Sequence, residues 1–72
     1  MQDHIYAVTE IVGSSRESIE DAIRNAVRMG ARTLRQLEWF EVTQIRGHVE
    51  KGEVAHFQVM LKLGLRYEDD HK

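Results

Sequence analysis

The side chains of this sequence that could do chemistry are better suited to binding a flat ligand than to catalysis. Trp39 is the only tryptophan, and its indole offers a large, electron-rich surface on which a planar aromatic ring can stack. Gln58 offers an amide that both donates and accepts hydrogen bonds. The sequence has no cysteine, no serine in a nucleophile-elbow motif and no glycine-rich phosphate loop. Catalysis therefore has little support from the sequence.

Metal binding has little support from the sequence. The four histidines are scattered along the chain. His48 and His56 lie near each other across a predicted hairpin, but the register derived below points them to opposite faces, which argues against a shared metal ion. The only paired carboxylates form the tail Glu68-Asp69-Asp70, which we expect to be a solvated run of charge.

Length and charge narrow the class of protein further. A chain of 72 residues is a single domain, taken here as residues 1–72, and it contains 10 basic against 12 acidic residues. That balance does not favour binding to nucleic acid or to a membrane surface. No apolar run approaches the ~20 residues that span a bilayer, and Met1-Gln2-Asp3-His4 lacks the features of a secretory signal, so we expect a cytoplasmic protein. So short a chain without disulfides is marginally stable alone, which favours self-association.

The elements that would position Trp39 begin with a strand and a helix. Ile5 to Val12 is rich in β-branched and aromatic residues and precedes Gly13-Ser14-Ser15, which predicts a strand followed by a helix start. Ser14 and Glu17 have the spacing of a capping box. A stripe of apolar or small residues then continues in steps of three and four over roughly five turns. Its members are Ile19, Ala22, Ile23, Ala26, Val27, Gly30, Leu34 and Leu37, with arginines on the opposite, solvated face.

The second half of the chain predicts a β-hairpin. Trp39 to Val49 and Val54 to Tyr67 flank a two-residue turn at Lys51-Gly52. Counting back from that turn gives a register for the two strands. It pairs Glu50 with Glu53, Val49 with Val54, Ile45 with Gln58, Thr43 with Met60, Val42 with Leu61, Glu41 with Lys62, Phe40 with Leu63 and Trp39 with Gly64.

The sequence thus predicts an α+β fold, a β-α-β-β protomer whose three-stranded antiparallel sheet wraps on one long helix. One helix covers one sheet face, so the face with Trp39, Ile45 and Met60 would be exposed and suited to self-association. Trp39 could simply cover Gly64 or anchor an interface, or it could stack a planar ligand beside Gly64. Gln58 and Gly64 are about 20 Å apart along a strand, so a ligand touching both Trp39 and Gln58 must lie between subunits.

Seven segments of the sequence are similar to one known protein family. They are Glu10-Ile11-Val12-Gly13-Ser14-Ser15, Ile19-Glu20-Asp21-Ala22-Ile23, Thr33-Leu34-Arg35, Trp39-Phe40-Glu41-Val42, Ile45-Arg46-Gly47-His48, His56-Phe57-Gln58-Val59 and Gly64-Leu65-Arg66-Tyr67-Glu68. In these segments the sequence resembles the dodecin family of small flavin-binding proteins, and the likeness covers nearly the whole chain.

The resemblance implies a hollow shell of twelve identical subunits that stores FMN or riboflavin and protects it from light. It implies that each flavin ring lies between residues matching Trp39 and Gln58, with Arg46 and Arg66 near the flavin tail. The predicted register puts Arg46 and Gln58 on opposite faces. Either a bulge intervenes, therefore, or Arg46 reaches a flavin bound to another subunit.

Some bacterial members of that family also hold coenzyme A on the outer surface, which would involve Tyr6, Thr33, Leu34 and Arg35 here. Met29 and Gly30 stand where a more basic helix end is usual in those members. Two other classes of function stay open from the sequence. One is a flavin-dependent enzyme with a substrate pocket beside the ring, and the other is a structural oligomer without a ligand.

Overall fold

The computed structural model describes residues 3–67 and contains one helix and one sheet. The elements are β1 (Tyr6–Ser15), α1 (Ile19–Thr33), β2 (Leu37–Glu50) and β3 (Glu53–Arg66). The antiparallel sheet has the order β1-β3-β2. The predicted β-α-β-β protomer is therefore confirmed. The tail Glu68-Asp69-Asp70 lies outside the described residues.

The helix begins four residues later than the sequence suggested. Ser14 is the ninth residue of β1 and does not cap the helix. The cap is Ser18, whose hydroxyl oxygen accepts a hydrogen bond of 2.9 Å from the amide of Asp21. An acidic residue three positions after a serine recurs in both places, so the spacing alone could not choose between Ser14 and Ser18.

The connection from β1 to α1 is shaped by Gly13 and Ser15. A Cβ atom on Gly13 would collide with the carbonyl oxygen of Ala22 and the side chain of Ala26. Gly13 therefore lets the helix approach the strand closely. The sequence had suggested that the strand ends before Gly13, but β1 continues to Ser15. The buried Ser15 hydroxyl accepts from the amide of Glu17 at 2.8 Å and donates to the carboxylate of Asp21 at 2.8 Å.

The helix also ends earlier than its apolar stripe predicts. Leu34 is the C-cap, and its amide donates to the carbonyl oxygen of Gly30 at 2.8 Å. Gln36 then adopts a left-handed conformation with φ of 60°, which turns the chain into β2. Leu37 is consequently the first residue of β2, although it still packs against the hydrophobic core.

The hairpin turn is as predicted, but the middle of the hairpin is shifted by one residue. Lys51 and Gly52 have φ of 52° and 77°, as a two-residue type I′ turn requires. Ala55 is an extra residue on β3 and Thr43 an extra residue on β2, and each interrupts the regular pairing. The two irregularities cancel, so the pairs from Val42–Leu61 to Trp39–Gly64 are confirmed.

Between these two irregularities the predicted pairs are wrong. Ile45 pairs with Val59 and not with Gln58, and Gln44 replaces Thr43 as the partner of Met60. Ile45 therefore lies on the helix side of the sheet, where the helix does not reach it and it stays exposed.

The hydrophobic core lies between the helix and β3. Leu61, Leu63 and Val59 are fully buried beneath Ala22 and Ala26, and burial of each large side chain stabilises the fold by about 1.5–3 kcal/mol. The opposite helix face is solvated, as predicted. Its Arg24–Glu20 ion pair of 3.5 Å is exposed at both ends and contributes little. Within residues 3–67 no helix is both long and apolar enough to cross a membrane.

Candidate functional site

One face of the sheet is not covered by the helix, and we call it the open face. It carries the side chains that alternate with the buried row of β3 and the residues that pair with them on β1 and β2. Its apolar members include Val8 and Val12, which are 52% and 48% exposed. The open face comprises Tyr6, Val8, Glu10, Val12, Ser14, Trp39, Glu41, Gln44, Arg46, His48, His56, Gln58, Met60, Lys62, Gly64 and Arg66.

Trp39 lies flat on Gly64 at one end of the open face. A Cβ atom built on Gly64 would overlap the indole atoms Cδ2, Cε2 and Cζ2. The space beside Gly64 that the sequence offered to a ligand is therefore filled by the indole itself. Trp39 remains 39% exposed, so a planar ligand would stack on the outer surface of the indole. Covering Gly64 and stacking a ligand are thus compatible roles.

Tyr6, Glu38 and Arg66 form a polar network around Trp39. The Tyr6 ring meets the indole edge to face, with ring centroids 6.1 Å apart and an interplanar angle of 62°. The Tyr6 hydroxyl donates to Glu38 Oε1 at 3.1 Å, and Glu38 Oε2 lies 3.8 Å from Arg66 Nη1. Sequence reasoning missed Glu38, because it placed the start of the strand at Trp39.

This network affects the ionisation of Tyr6. The hydrogen bond to Glu38 raises the pKa of the Tyr6 phenol above its ordinary value, and desolvation and the negative charge of Glu38 act in the same direction. The positive charge of Arg66 opposes them. Tyr6 therefore stays a neutral hydrogen-bond donor over a wider pH range than a free tyrosine.

Arg46 and Gln58 form a second polar pair further along the open face. They are direct partners on β2 and β3, and Arg46 Nε donates to Gln58 Oε1 at 3.1 Å. The predicted placement of these residues on opposite faces is wrong. The irregularities at Thr43 and Ala55 bring them together, which is the bulge alternative raised by the sequence.

The two parts of the open face are well separated within one chain. Gln58 and Gly64 are six positions apart on the continuous strand β3, a distance of about 20 Å at ~3.4 Å per residue. The chain is elongated, with extents of 58 × 20 × 15 Å. Trp39 and Gln58 of the same chain therefore do not face a common ligand of ordinary size.

His48 and His56 continue the open face towards the hairpin turn. They are direct cross-strand partners, with ring centroids 5.3 Å apart and an interplanar angle of 20°. The expectation that they point to opposite faces is wrong, again because of the extra residue Ala55. His48 Nε2 also lies 3.6 Å from Glu50 Oε2. In the described part of the chain, no group of three or more histidine, aspartate or glutamate side chains could hold a metal ion.

The residues considered for coenzyme A belong to different elements of the fold. Tyr6 belongs to the open face, whereas α1 packs on the other side of the sheet. The Thr33 hydroxyl donates to the carbonyl oxygen of Met29 at 3.2 Å, and Leu34 packs against the core. Sequence reasoning also missed an apolar cavity of about 240 Å³ near the end of the helix. It is lined by Val27, Ala31, Leu37, Glu38, Trp39, Phe40 and Leu63.

The fold and the open face place the chain in a class of small proteins in which one helix packs on a three-stranded sheet and an accessible tryptophan, Trp39, lies on the uncovered face of that sheet. The sequence matches the family model described as Dodecin over residues 5–68. The curated dodecin of Thermus thermophilus is 43% identical over 65 residues, which cover 90% of this chain and 94% of that protein. The chain belongs to the dodecin family.

Solved structures agree with this assignment. The dodecin of Streptomyces coelicolor is 56% identical with a TM-score of 0.89, and the match covers 97% of this chain and all of that one. The dodecin from Streptomyces davaonensis is 44% identical with a TM-score of 0.88, covering 94% of this chain and all of that one. The likeness therefore extends over the open face as well as the core.

Proposed function

We propose that this protein binds flavin without catalysing a reaction, and that it stores FMN or riboflavin at interfaces within a closed shell of twelve subunits. The observation that carries this proposal is the arrangement of the open face. Trp39 provides an accessible aromatic surface at one end, and the Arg46–Gln58 pair provides polar groups further along. Their separation means that a ligand contacting both is shared by two subunits.

The proposed ring site places the isoalloxazine between Trp39 of one subunit and Gln58 of another. Stacking on an indole uses the outer surface that remains after Trp39 has covered Gly64. Gln58 Oε1 already accepts from Arg46, so the amide is oriented with its NH₂ group free. That group can donate to the ring carbonyls of a flavin.

Two arginines would act on the flavin tail. Arg46 uses only Nε towards Gln58 in the described contact, so its two terminal NH₂ groups can reach the phosphate of FMN. Arg66 is held by Glu38 at 3.8 Å, and its side chain is 43% exposed. The guanidinium therefore still presents donors to an anion.

Storage and protection from light follow from the same contact. An indole in contact with an excited isoalloxazine can donate an electron to it, and the charge-separated pair returns to the ground state without further photochemistry. The lack of a cysteine nucleophile, a nucleophile-elbow serine or a phosphate loop in the sequence supports this role over flavin-dependent catalysis. We expect the protein to act in the cytoplasm. Coenzyme A near Tyr6, Thr33, Leu34 and Arg35 remains an additional prediction.

Flavin titration combined with native mass spectrometry tests the proposal. We expect a dodecamer that does not yield a folded monomer at micromolar concentration, because a single chain exposes the apolar part of its open face. Added FMN or riboflavin should lose fluorescence on binding, and the fluorescence of Trp39 should fall in parallel. A stable folded monomer would contradict the assembly. An oligomer indifferent to flavin would favour the structural alternative, and turnover with NADH or NADPH would favour an enzyme.

A further inference from the structure

His48 and His56 form a pair of imidazoles to which the proposed flavin function gives no role. They face each other directly across β2 and β3, on the open face and next to the Arg46–Gln58 pair. Directly opposed residues of antiparallel strands have Cβ atoms about 4.5–5.5 Å apart, so their side chains can contact the same ligand. The strand pairing, and not a flexible loop, holds the two rings together.

The spacing of the rings suits a shared metal ion. Zinc–nitrogen bonds are about 2.0–2.1 Å long, and two imidazoles on one tetrahedral ion have their centres roughly 5 Å apart. The centroids of His48 and His56 are 5.3 Å apart. The two rings are nearly parallel in the structure, with an interplanar angle of 20°, so a shared ion requires rotation of at least one ring about its side-chain bonds.

Nearby carboxylates favour a bound cation at this pair, whereas a nearby arginine opposes it. Glu50 Oε2 lies 3.6 Å from His48 Nε2, so a proton carried on Nε2 would point at the carboxylate and Nδ1 would be left free for a metal ion. A carboxylate beside a ligating histidine is a common feature of metal sites. Glu53 is the cross-strand partner of Glu50 and adds negative charge near the turn. Arg46 opposes a cation, although its Nε is engaged by Gln58.

We propose that His48 and His56 form a two-imidazole site for a divalent transition-metal ion, with Zn²⁺ as the ion to test. Imidazole nitrogen suits zinc, copper and nickel, and the chain has no cysteine that could add a thiolate ligand. The site supplies two protein ligands, and water fills the remaining coordination positions. In the single chain, the side chain of His48 is 53% exposed and His56 is half-buried.

Calorimetric titration of Zn²⁺ into the assembled protein at neutral pH tests the proposal. We expect one ion per chain, and His48→Asn and His56→Asn should each weaken binding by about tenfold or more, because each removes a ligand. Glu50→Gln should weaken it by up to about tenfold through the orientation of His48.

A matched control removes the other two histidines and keeps the pair. The variant His4→Asn/His71→Asn should bind Zn²⁺ as the parent does. Unchanged affinity in both His48→Asn and His56→Asn would overturn the proposal, and so would loss of binding in the control. Circular dichroism and oligomer size identify any variant that has not folded.

If a variant has not folded, the imidazole proton signals of the parent during Zn²⁺ titration test the same site, because only those of His48 and His56 should shift. The titration needs no flavin, so its outcome is independent of the proposed storage function.

Discussion

The two ends of the open face differ in how their side chains are held in place. At the Trp39 end, packing fixes the indole on Gly64, and Tyr6 and Glu38 surround it. At the Arg46–Gln58 end, a single cross-strand hydrogen bond between exposed side chains fixes the geometry. The first end is therefore a preformed platform, and the second is an adjustable polar contact. A ligand shared between subunits would take its affinity mainly from the platform and its orientation from the amide.

The largest effect should come from removing the platform. Trp39→Ala deletes the stacking surface and should weaken flavin binding by at least about 2 kcal/mol, as expected for an aromatic residue that dominates an interface. Trp39→Phe should keep part of the affinity but quench flavin fluorescence less, because phenylalanine is a far poorer electron donor. Fluorescence titration of the parent and both variants measures both quantities.

The control for this experiment is the size of the oligomer. If Trp39 only covers Gly64 or anchors the shell, Trp39→Ala would dissociate the assembly, because it uncovers the glycine backbone. An intact Trp39→Ala shell that binds and quenches flavin like the parent would contradict the platform altogether. Either result separates packing from ligand binding at this end of the open face.

The comparison of the two ends also explains what the sequence could predict. The helix stripe, the apolar row of β3 and the Lys51-Gly52 turn each follow from local residue types, and they were enough for the element order. Counting from the turn also gave the pairing of Trp39 with Gly64, but only because the two irregularities between them cancel. The positions of Arg46 and His48 could not be obtained that way. They depend on the extra residues Thr43 and Ala55, which are ordinary strand residues without a bulge signature such as glycine.

Two compensating irregularities are difficult to detect for a physical reason. Each shifts the pairing by one residue and exchanges the faces of a strand, but the second restores what the first disturbed. Checks made at both ends of the hairpin, such as Glu41 opposite Lys62, are then satisfied although the middle is wrong. The Glu38 network was missed for a simpler reason, since the left-handed Gln36 starts β2 two residues earlier than the apolar pattern predicts.

A smaller effect is expected at the polar end. Gln58→Leu removes the proposed hydrogen bonds to the flavin ring, each worth ~0.5–1.5 kcal/mol net. It should weaken flavin binding by about tenfold while the proposed shell stays intact. Val12→Ala, which also alters the open face but has no proposed ligand contact, is the matched control for affinity. Flavin binding by Gln58→Leu as tight as that of the parent would show that the Gln58 amide forms no hydrogen bond to the flavin ring that contributes to affinity.

The smallest effect concerns the pH response of the network beside Trp39. Because the pKa of Tyr6 is raised in the folded state from its ordinary value of 10.0, the neutral phenol is the form that the fold favours. The stability contributed by this contact is fully present below pH 10 and is lost as the pH rises through the higher folded-state pKa. The neighbouring ring of Trp39 should report the change through its fluorescence.

Two Glu38 variants separate the causes of this shift in a Tyr67→Phe background, where Tyr6 is the only tyrosine. Glu38→Ala removes both the hydrogen-bond acceptor and the negative charge, so it should lower the pKa of Tyr6 the most. Glu38→Gln keeps an acceptor and removes only the charge, and it should lower the pKa less, because the hydrogen bond is the larger cause. Ultraviolet absorbance of the phenolate during an alkaline titration measures each midpoint. An unchanged midpoint in Glu38→Ala would mean that the hydrogen bond from Tyr6 to Glu38 does not form in solution, and that the platform is held by packing on Gly64 alone.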